Sequence, residues 1–494
     1  MSRFNNIKAV FGPPGKTVAS VERPPAPRGP TPGVKDAGEK PGPGARAQAR
    51  PAASPILRQN PADTTLGQKV GFLVLCIYLV SGYANEFAIR ALGAKAYIST
   101  VALPVLPILL LISGNLFRGL RDTIGRLWLG LIAWMCLSTP FSLWKGGSAE
   151  LLRDYVTHSW IFFFLITGFA VTLKHCRWMM GVLIAANFLL LVDCAVASHI
   201  SDGRLHIPDS AFFANANDLS LQLVLAITQF FYLLFQPGVW GRVLAVVGIS
   251  TALVYSLQTG SRGVAIAILV LAAVIFAVGS QKLLWAAVVL VAGMAAIVIV
   301  PSGMLHRISL LTGDEPVLDN SDLAAEGSRM QRLELLRQSV EFTIENPLLG
   351  VGPGQFAVAV NGEAEKEGKR APWLGTHNSY TEVSSECGLP GFFIYTGVVI
   401  LCLWSNLRMF RRSARQPQLR QLNALAFSAF CGCVVYAVAT FFFHIAYSSY
   451  LPQLAGMTVA LRLSVDPSFW RSRRVVMLAG TSQGFPGQLS KGAA

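Results

Sequence analysis

Charge is scarce in this chain. Only 14% of its 494 residues are charged, against roughly 25% in a soluble domain, which excludes an ordinary water-soluble globular protein. Histidine is scarcer still, with seven in the chain. The eight cysteines fall at no metal-ligand spacing. The Cys431/Cys433 pair is too tight and too apolar for zinc, so these residues read as small buried hydrophobes. No metal ion or other cofactor is expected. The N-terminal region lacks an apolar stretch after a basic start, so no cleavable signal peptide is expected.

What the chain has in abundance is apolar residues, 53% of the total. Long apolar runs recur from Val70 to Val465, many long enough to cross the roughly 30 Å hydrocarbon core as helices. The expected fold is an all-α polytopic membrane protein of about twelve transmembrane helices, with one long periplasmic loop containing short helices. The spans are placed at about 70–86, 96–114, 127–144, 159–174, 178–197, 218–236, 243–257, 264–279, 283–300, 389–406, 424–446 and 448–464. The division is then 1–69, a basic, Pro-rich cytoplasmic tail; 70–300, helices one to nine; 301–388, the long loop; 389–465, helices ten to twelve; and 466–494, a cytoplasmic tail.

The first 69 residues hold 12 of the 27 prolines and 11 Lys or Arg against 4 Asp or Glu. Such a segment cannot bury enough surface to fold, and its charge suits anionic membrane lipid on the cytoplasmic side. Membrane lipids, not nucleic acid, are the partners this composition indicates. Basic residues in short loops set the orientation. With the N-terminus inside, the inner loops hold twelve of them, from Arg118 to Arg420, and the outer short loops six, among them Arg90, Arg204 and Arg262. Both termini are then cytoplasmic, and residues 301–388 lie outside.

Polar residues gather toward that outer face. Asn85, Glu86, Asp193, Arg204, His206, Asn215, Asn217, Asp218, Arg262 and His444 lie at span ends or in short loops. Ionisable groups at membrane depth are costly and point to function. A transporter would place several near the midplane instead. Arg262, in the small-residue turn TGSRG, has two readings. It could snorkel to lipid headgroups, or its guanidinium fork could take a phosphate bidentately.

Within the long loop, GSRMQRLELLRQSVEFTIENPLLG reads as a helix, with Met330, Leu333, Leu336, Val340 and Phe342 or Thr343 at helical spacing and Pro347 stopping it. Arg329 and Arg332 share a face, and an amphipathic helix lying on the membrane is one reading of the segment. The glycines and prolines of NPLLGVGPGQF match no standard phosphate loop and read as scaffold. GEAEKEGKRAP reads as a solvated loop tip. The stretch THNSYTEVSSECGLPG holds His377 and Glu386, nine residues apart (386 − 377). On one helix they would point half a turn away from each other, so no dyad follows. With Thr376 as a cap, the helix would start near Asn378. An imidazole there can accept a proton from a hydroxyl near neutral pH; on its own it reads equally as a structural histidine.

Taken together, GSRG after one span, R…E..R…..E.NPLLGVGPGQF in a long loop and HNSYTEVSSECGLPGFF opening the next span resemble the O-antigen ligase and polymerase superfamily. The likeness runs from about Phe212 to Ile400. It implies a glycosyltransferase that draws on an undecaprenyl-diphosphate-linked glycan at the periplasmic face of a bacterial inner membrane. The acceptor would be lipid A–core or a growing polysaccharide. On that resemblance His377 is the acceptor-activating base, and Arg262 and Arg332 face the diphosphate. Arg204, Asn217, Asp218, Arg329, Asn378, Tyr380 and Glu386 line the substrate site. Leu336 departs from the pattern, since many relatives carry tryptophan there. The implied reaction is metal-independent and inverts the anomeric centre. Ligase and repeat-unit polymerase stay open, as do a protein-glycosylating role, a lipid-linked sugar transporter and a non-catalytic scaffold. The N-terminal tail suits a link to an envelope polysaccharide assembly system.

Overall fold

The protein is described here by a computed structural model over residues 65–92, 98–201, 204–208, 210, 213, 215–278 and 320–465, with side chains other than those of 83–92, 98–99 and 320–329. The expected tails over 1–64 and 466–494, the span at 283–300 and the start of the long loop lie outside these residues. So do the side chains of Asn85, Glu86, Arg90 and Arg329.

The described chain is mostly helical. Its helices are α1 (Leu66–Leu92), α2 (Ile98–Ile112), α3 (Thr123–Ser138), α4 (Lys145–Tyr155), α5 (Phe162–Phe169), α6 (Leu173–Ala197), α7 (Ala216–Leu234), α8 (Val239–Gln258), α9 (Arg262–Val278), α10 (Asn320–Glu345), α11 (Phe356–Lys366), α12 (Ser379–Ser413), α13 (Arg420–Ala439) and α14 (Tyr450–Leu463). Six helical segments are long and apolar enough to cross a membrane: Thr123–Phe141, Leu173–Ala197, Ala216–Leu234, Val239–Gln258, Ser379–Ser413 and Pro417–Ala439. Shorter apolar helices cover Leu66–Gly82, Thr100–Ile112 and Arg262–Val278.

Two expected spans take a different form. Where one was placed at 159–174, a turn of π-helix, Val156–Trp160, joins α4 to α5, and the chain leaves the helix after Phe169. Arg118 donates to the carbonyls of Thr167, Ala170 and Val171 there, meeting acceptors that a helix C-terminus leaves open. The last span, placed at 448–464, is a helix of 14 residues, and the stretch before it from Phe441 to Ser449 is irregular.

Local sequence sets the helix starts. Asp122 accepts from the amide of Ile124 at 2.9 Å, Thr172 from His175 at 3.2 Å and Asn215 from Asn217 at 2.9 Å. Each satisfies one of the open amides of a first turn. The main core joins α3, α5, α6, α7, α12, α13 and α14 around Trp128, Phe163, Phe230, Tyr395 and Phe427. A two-stranded antiparallel hairpin, β1 (His199–Ser201) and β2 (Arg204–His206), pairs His199 with His206 and Ser201 with Arg204.

The loop has a small core of its own, made of Leu335, Phe342, Val351, Phe356, Ala359 and Val360. The helix read from the sequence is present as α10 and ends at Glu345 before Pro347, but it buries a different face. Leu335, Ser339 and Phe342 point inward. Met330, Leu333, Leu336, Val340 and Ile344 form a separate, exposed apolar stripe. Glu334, Arg337 and Glu341 pair along a third, charged face. The apolar spacing had merged two faces that lie roughly a third of a turn apart.

Candidate functional site

The glycine-rich turn after α10 is scaffold. Helix α12 is broken at Gly388 (φ 69°, ψ −177°), a conformation essentially restricted to glycine. A Cβ there would collide with the carbonyl of Leu348. Backbone amides stitch the turn to the break: Val351 to Ser385 at 2.8 Å, Gly352 to Glu386 at 3.0 Å and Leu389 to Pro347 at 2.8 Å. Ser138 donates to Leu349 at 2.6 Å and Ser148 to Pro353 at 2.8 Å, while the indole of Trp134 donates to Cys387 at 2.8 Å.

Glu386 belongs to this knot. It is 4% exposed, and its two oxygens accept from the amides of Gly354 at 2.8 Å and Phe356 at 3.2 Å. The carboxylate is committed to holding the turn, so its geometry is that of a strut, not of a group facing substrate.

One turn before α12 the chain makes the bend that carries His377. Thr376, itself buried, donates to the Asn378 carbonyl at 2.9 Å. Asn378, not Thr376, caps the helix, accepting from Tyr380 at 3.0 Å and Thr381 at 3.3 Å. The Tyr380 hydroxyl donates to Ala437 at 3.0 Å, which ties α12 to α13. The side-chain oxygen of Asn378 and the hydroxyl proton of Tyr380 are therefore used in building the bend. His377 has φ +52° and is the one non-glycine residue with positive φ among those described. Such an uncommon backbone is held here by the cap that follows it.

The bend sets the imidazole against a second histidine. His377 and His444 lie edge to face, ring centroids 5.0 Å apart and 82° between planes. His444 is exposed and comes from the irregular stretch after α13. Arg332 of α10 acts on His377, and Arg262 at the start of α9 acts on Arg332. Asp218 of α7 is within electrostatic reach of His444. Burial, then His444, then Arg332 hold the His377 imidazole down at about 4. It is therefore neutral at pH 7 and free to accept a proton. Burial and the neighbouring Arg262 lower Arg332 as well. No carboxylate offsets this on Arg332 among the described residues.

The remaining expected residues support this region. Arg204 donates to the Thr259 carbonyl at 3.0 Å and to the Asn217 side-chain oxygen at 2.7 Å. Thr259 ends α8, two residues before the Ser261–Arg262 step. Arg204 and Asn217 thus fix the turn that presents Arg262. The backbone at Arg329 lies on α10.

Of the expected residues, Arg332 is thus within electrostatic reach of His377, Arg262 of Arg332 and Asp218 of His444. The structure gives Arg204, Asn217, Asn378, Tyr380 and Glu386 internal partners. Sequence reasoning did not place His444 in the site. It had marked the residue as a polar group at the outer end of a span, which was the available signal. Nothing in the local pattern paired it with a histidine 67 positions earlier (444 − 377).

Six helices of spanning length mark the class as a helical membrane protein, with His377 packed on His444 and Arg332 within electrostatic reach of His377. The O-antigen ligase family matches residues 244–396, a stretch that contains Arg262, Arg332, His377 and Glu386. The matched stretch is 153 of the 494 residues (396 − 244 + 1), and over it the chain is similar to that family. Arg204, Asn217, Asp218 and His444 fall outside the matched stretch. No curated protein matches the chain.

Proposed function

We propose that the protein transfers a glycan from undecaprenyl diphosphate to an acceptor hydroxyl, that of lipid A–core, at the periplasmic face of the inner membrane. The observation that carries this is that Arg332 and Arg262 set positive charge in one region, within electrostatic reach of each other and of a neutral His377. A diphosphate suits that region, and guanidinium forks match its oxygens.

In this reading the acceptor oxygen attacks the anomeric carbon as the bond to the diphosphate breaks. The proton on the attacking hydroxyl passes to His377. Negative charge grows on the leaving diphosphate, where Arg332 and Arg262 stabilise it. Attack opposite the leaving group inverts the anomeric centre, and the step routes no charge through a metal. An oligosaccharide product that retains the donor's configuration by NMR would refute that part.

Donor binding has a further effect on the base. Arg332 is one of the causes that hold His377 low. A bound diphosphate offsets that positive charge, so the imidazole becomes a stronger base when the donor is in place. The exposed stripe Met330, Leu333, Leu336, Val340 and Ile344 suits the outer membrane surface. It would hold Arg332, on the neighbouring face of the same helix, at the depth of lipid phosphates.

The test is complementation of a deletion strain with wild type, His377→Ala or Arg332→Ala, followed by gels of lipopolysaccharide and secreted polysaccharide. Loss of glycan-capped lipid A–core with accumulation of polyprenyl-linked polymer supports the ligase. Loss of polymer with single repeat units remaining assigns a polymerase instead. Wild-type patterns from both variants would overturn the catalytic reading and favour a transporter or scaffold.

A further inference from the structure

We propose that His444 is a positioning residue for His377, set against it by a clamp that Ser379 and Glu382 close on the stretch Phe441–Ser449. This rests on the reading of His377 as the base and extends it to a residue outside the stretch matched by the family.

The clamp is a set of short bonds two and five residues past His377. The amide of Ser379 donates to the Thr440 carbonyl at 2.8 Å. The Ser379 hydroxyl donates to the Phe443 carbonyl at 2.7 Å and accepts from the Ile445 amide at 2.9 Å. Glu382 accepts from the Ala446 amide at 3.2 Å. His444 is therefore bracketed on both sides by backbone groups tied to the first turn of α12. That same turn begins directly after His377. Ser379 is fully buried, so these bonds form out of water, where breaking one leaves a polar group unmet.

The ring is held from a second side. A Cβ at Gly375 would lie 2.8 Å from Cδ2 and 2.9 Å from Cγ of His444. Only a glycine lets the backbone come that close. His444 thus sits between the Gly375 backbone and the His377 ring, and its face limits how His377 can rotate. A general base must reach its proton within hydrogen-bond distance, and a misplacement of about 1 Å can cost on the order of a hundredfold in rate. The reason for a second ring is its shape. No hydrogen bond joins the two imidazoles, so His444 acts through packing.

The experiment uses the full-length protein in nanodiscs. The probes are polyprenyl-linked glycan and lipid A–core, both extracted from the deletion strain. His444→Ala should lower kcat roughly tenfold or more, with KM for the donor within about twofold. His444→Phe, which keeps a flat ring and removes both nitrogens, should recover most of the loss. Gly375→Ala, which pushes the His444 ring without touching it chemically, should lower kcat as well. A His444→Ala protein with wild-type kcat overturns the proposal. So does a His444→Phe protein as slow as His444→Ala, since that would make a nitrogen the active element. His377→Ala run alongside separates the two readings. If it turns over normally, the base assignment fails. If it is inactive while His444→Ala is normal, only the positioning role fails.

Discussion

The knot around Gly388 and the cleft around His377 lie on the same short stretch of chain and are built on opposite terms. In the knot most polar groups have an internal partner: both oxygens of Glu386 meet amides, and the carbonyls of Pro347, Leu349 and Pro353 each accept a bond, with the buried Gln355 side-chain oxygen the exception. In the cleft, Arg332 faces another arginine, His377 is held in an uncommon backbone, and the imidazole is kept neutral. A fold gains stability by satisfying such groups, whereas the groups around His377 gather like charge and an uncommon backbone in one place. Substitutions in the two regions should therefore separate, the knot losing folded protein and the cleft losing turnover.

The largest effect belongs to His377. His377→Ala should lower kcat by about 10²–10⁴-fold, the usual contribution of a placed base. Its melting temperature should change little at neutral pH, because the half-buried imidazole is already neutral in the folded and the unfolded chain. A variant that melts earlier would show that His377 is a member of the scaffold.

Next is the knot itself. Gly388→Ala sets a Cβ against the Leu348 carbonyl in a backbone conformation that costs roughly 1–3 kcal/mol for other residues. Glu386→Ala strands the buried amides of Gly354 and Phe356, each at about 1–3 kcal/mol. Both variants should lower the melting temperature and the amount of protein in the membrane. Activity per folded molecule should stay within a fewfold. If Glu386→Ala instead folds normally and loses turnover, the carboxylate faces substrate after all.

The pH profile sharpens the cleft side. A base held at about 4 is fully available at neutral pH and is lost only as pH falls through that value. The acid limb of kcat/KM, which reports the free enzyme, should lie near pH 4. The limb of kcat, which reports the donor complex, should lie higher, because the diphosphate offsets Arg332. Coincident limbs would show that donor charge does not reach His377.

How much of this was written in the sequence follows from the range of each interaction. Spanning helices were legible because the apolar runs are local and long, as over Leu173–Ala197 and Pro417–Ala439. The stop at Pro347 and the scaffold reading of the glycine turn were legible because Gly and Pro act on their own backbone. The buried face of α10 was misread. Leu335 and Phe342 look no more apolar than Leu333 and Leu336, and the packing of α11, α12 and the glycine turn decides which set is covered. Arg262, Arg332 and His377 were carried over through resemblance, and the electrostatic reach between them depends on tertiary packing that no local pattern shows. Glu386, Asn378 and Tyr380 show the limit of that route. Residue type marks a position as special, but only its hydrogen bonds tell whether it builds a site or serves in it. His444 shows the converse, since a lone histidine at a span end carries no sign of what it packs against.

The smallest effect tests the comparison most finely. Ser148 is fully buried on α4, and its hydroxyl donates to the Pro353 carbonyl at 2.8 Å. It touches the knot from the far side of the turn and none of the cleft residues. Ser148→Ala removes one neutral bond, while the Gln355 side-chain amide still donates to the Pro353 carbonyl at 3.3 Å, so the loss is about 1 kcal/mol. A shift of that size should appear in the melting temperature, while kcat and the pH limbs stay at their wild-type values. If kcat falls as well, the turn transmits its position to His377 through α12. The knot and the cleft would then be one mechanical unit, and Gly388 would be a joint within it.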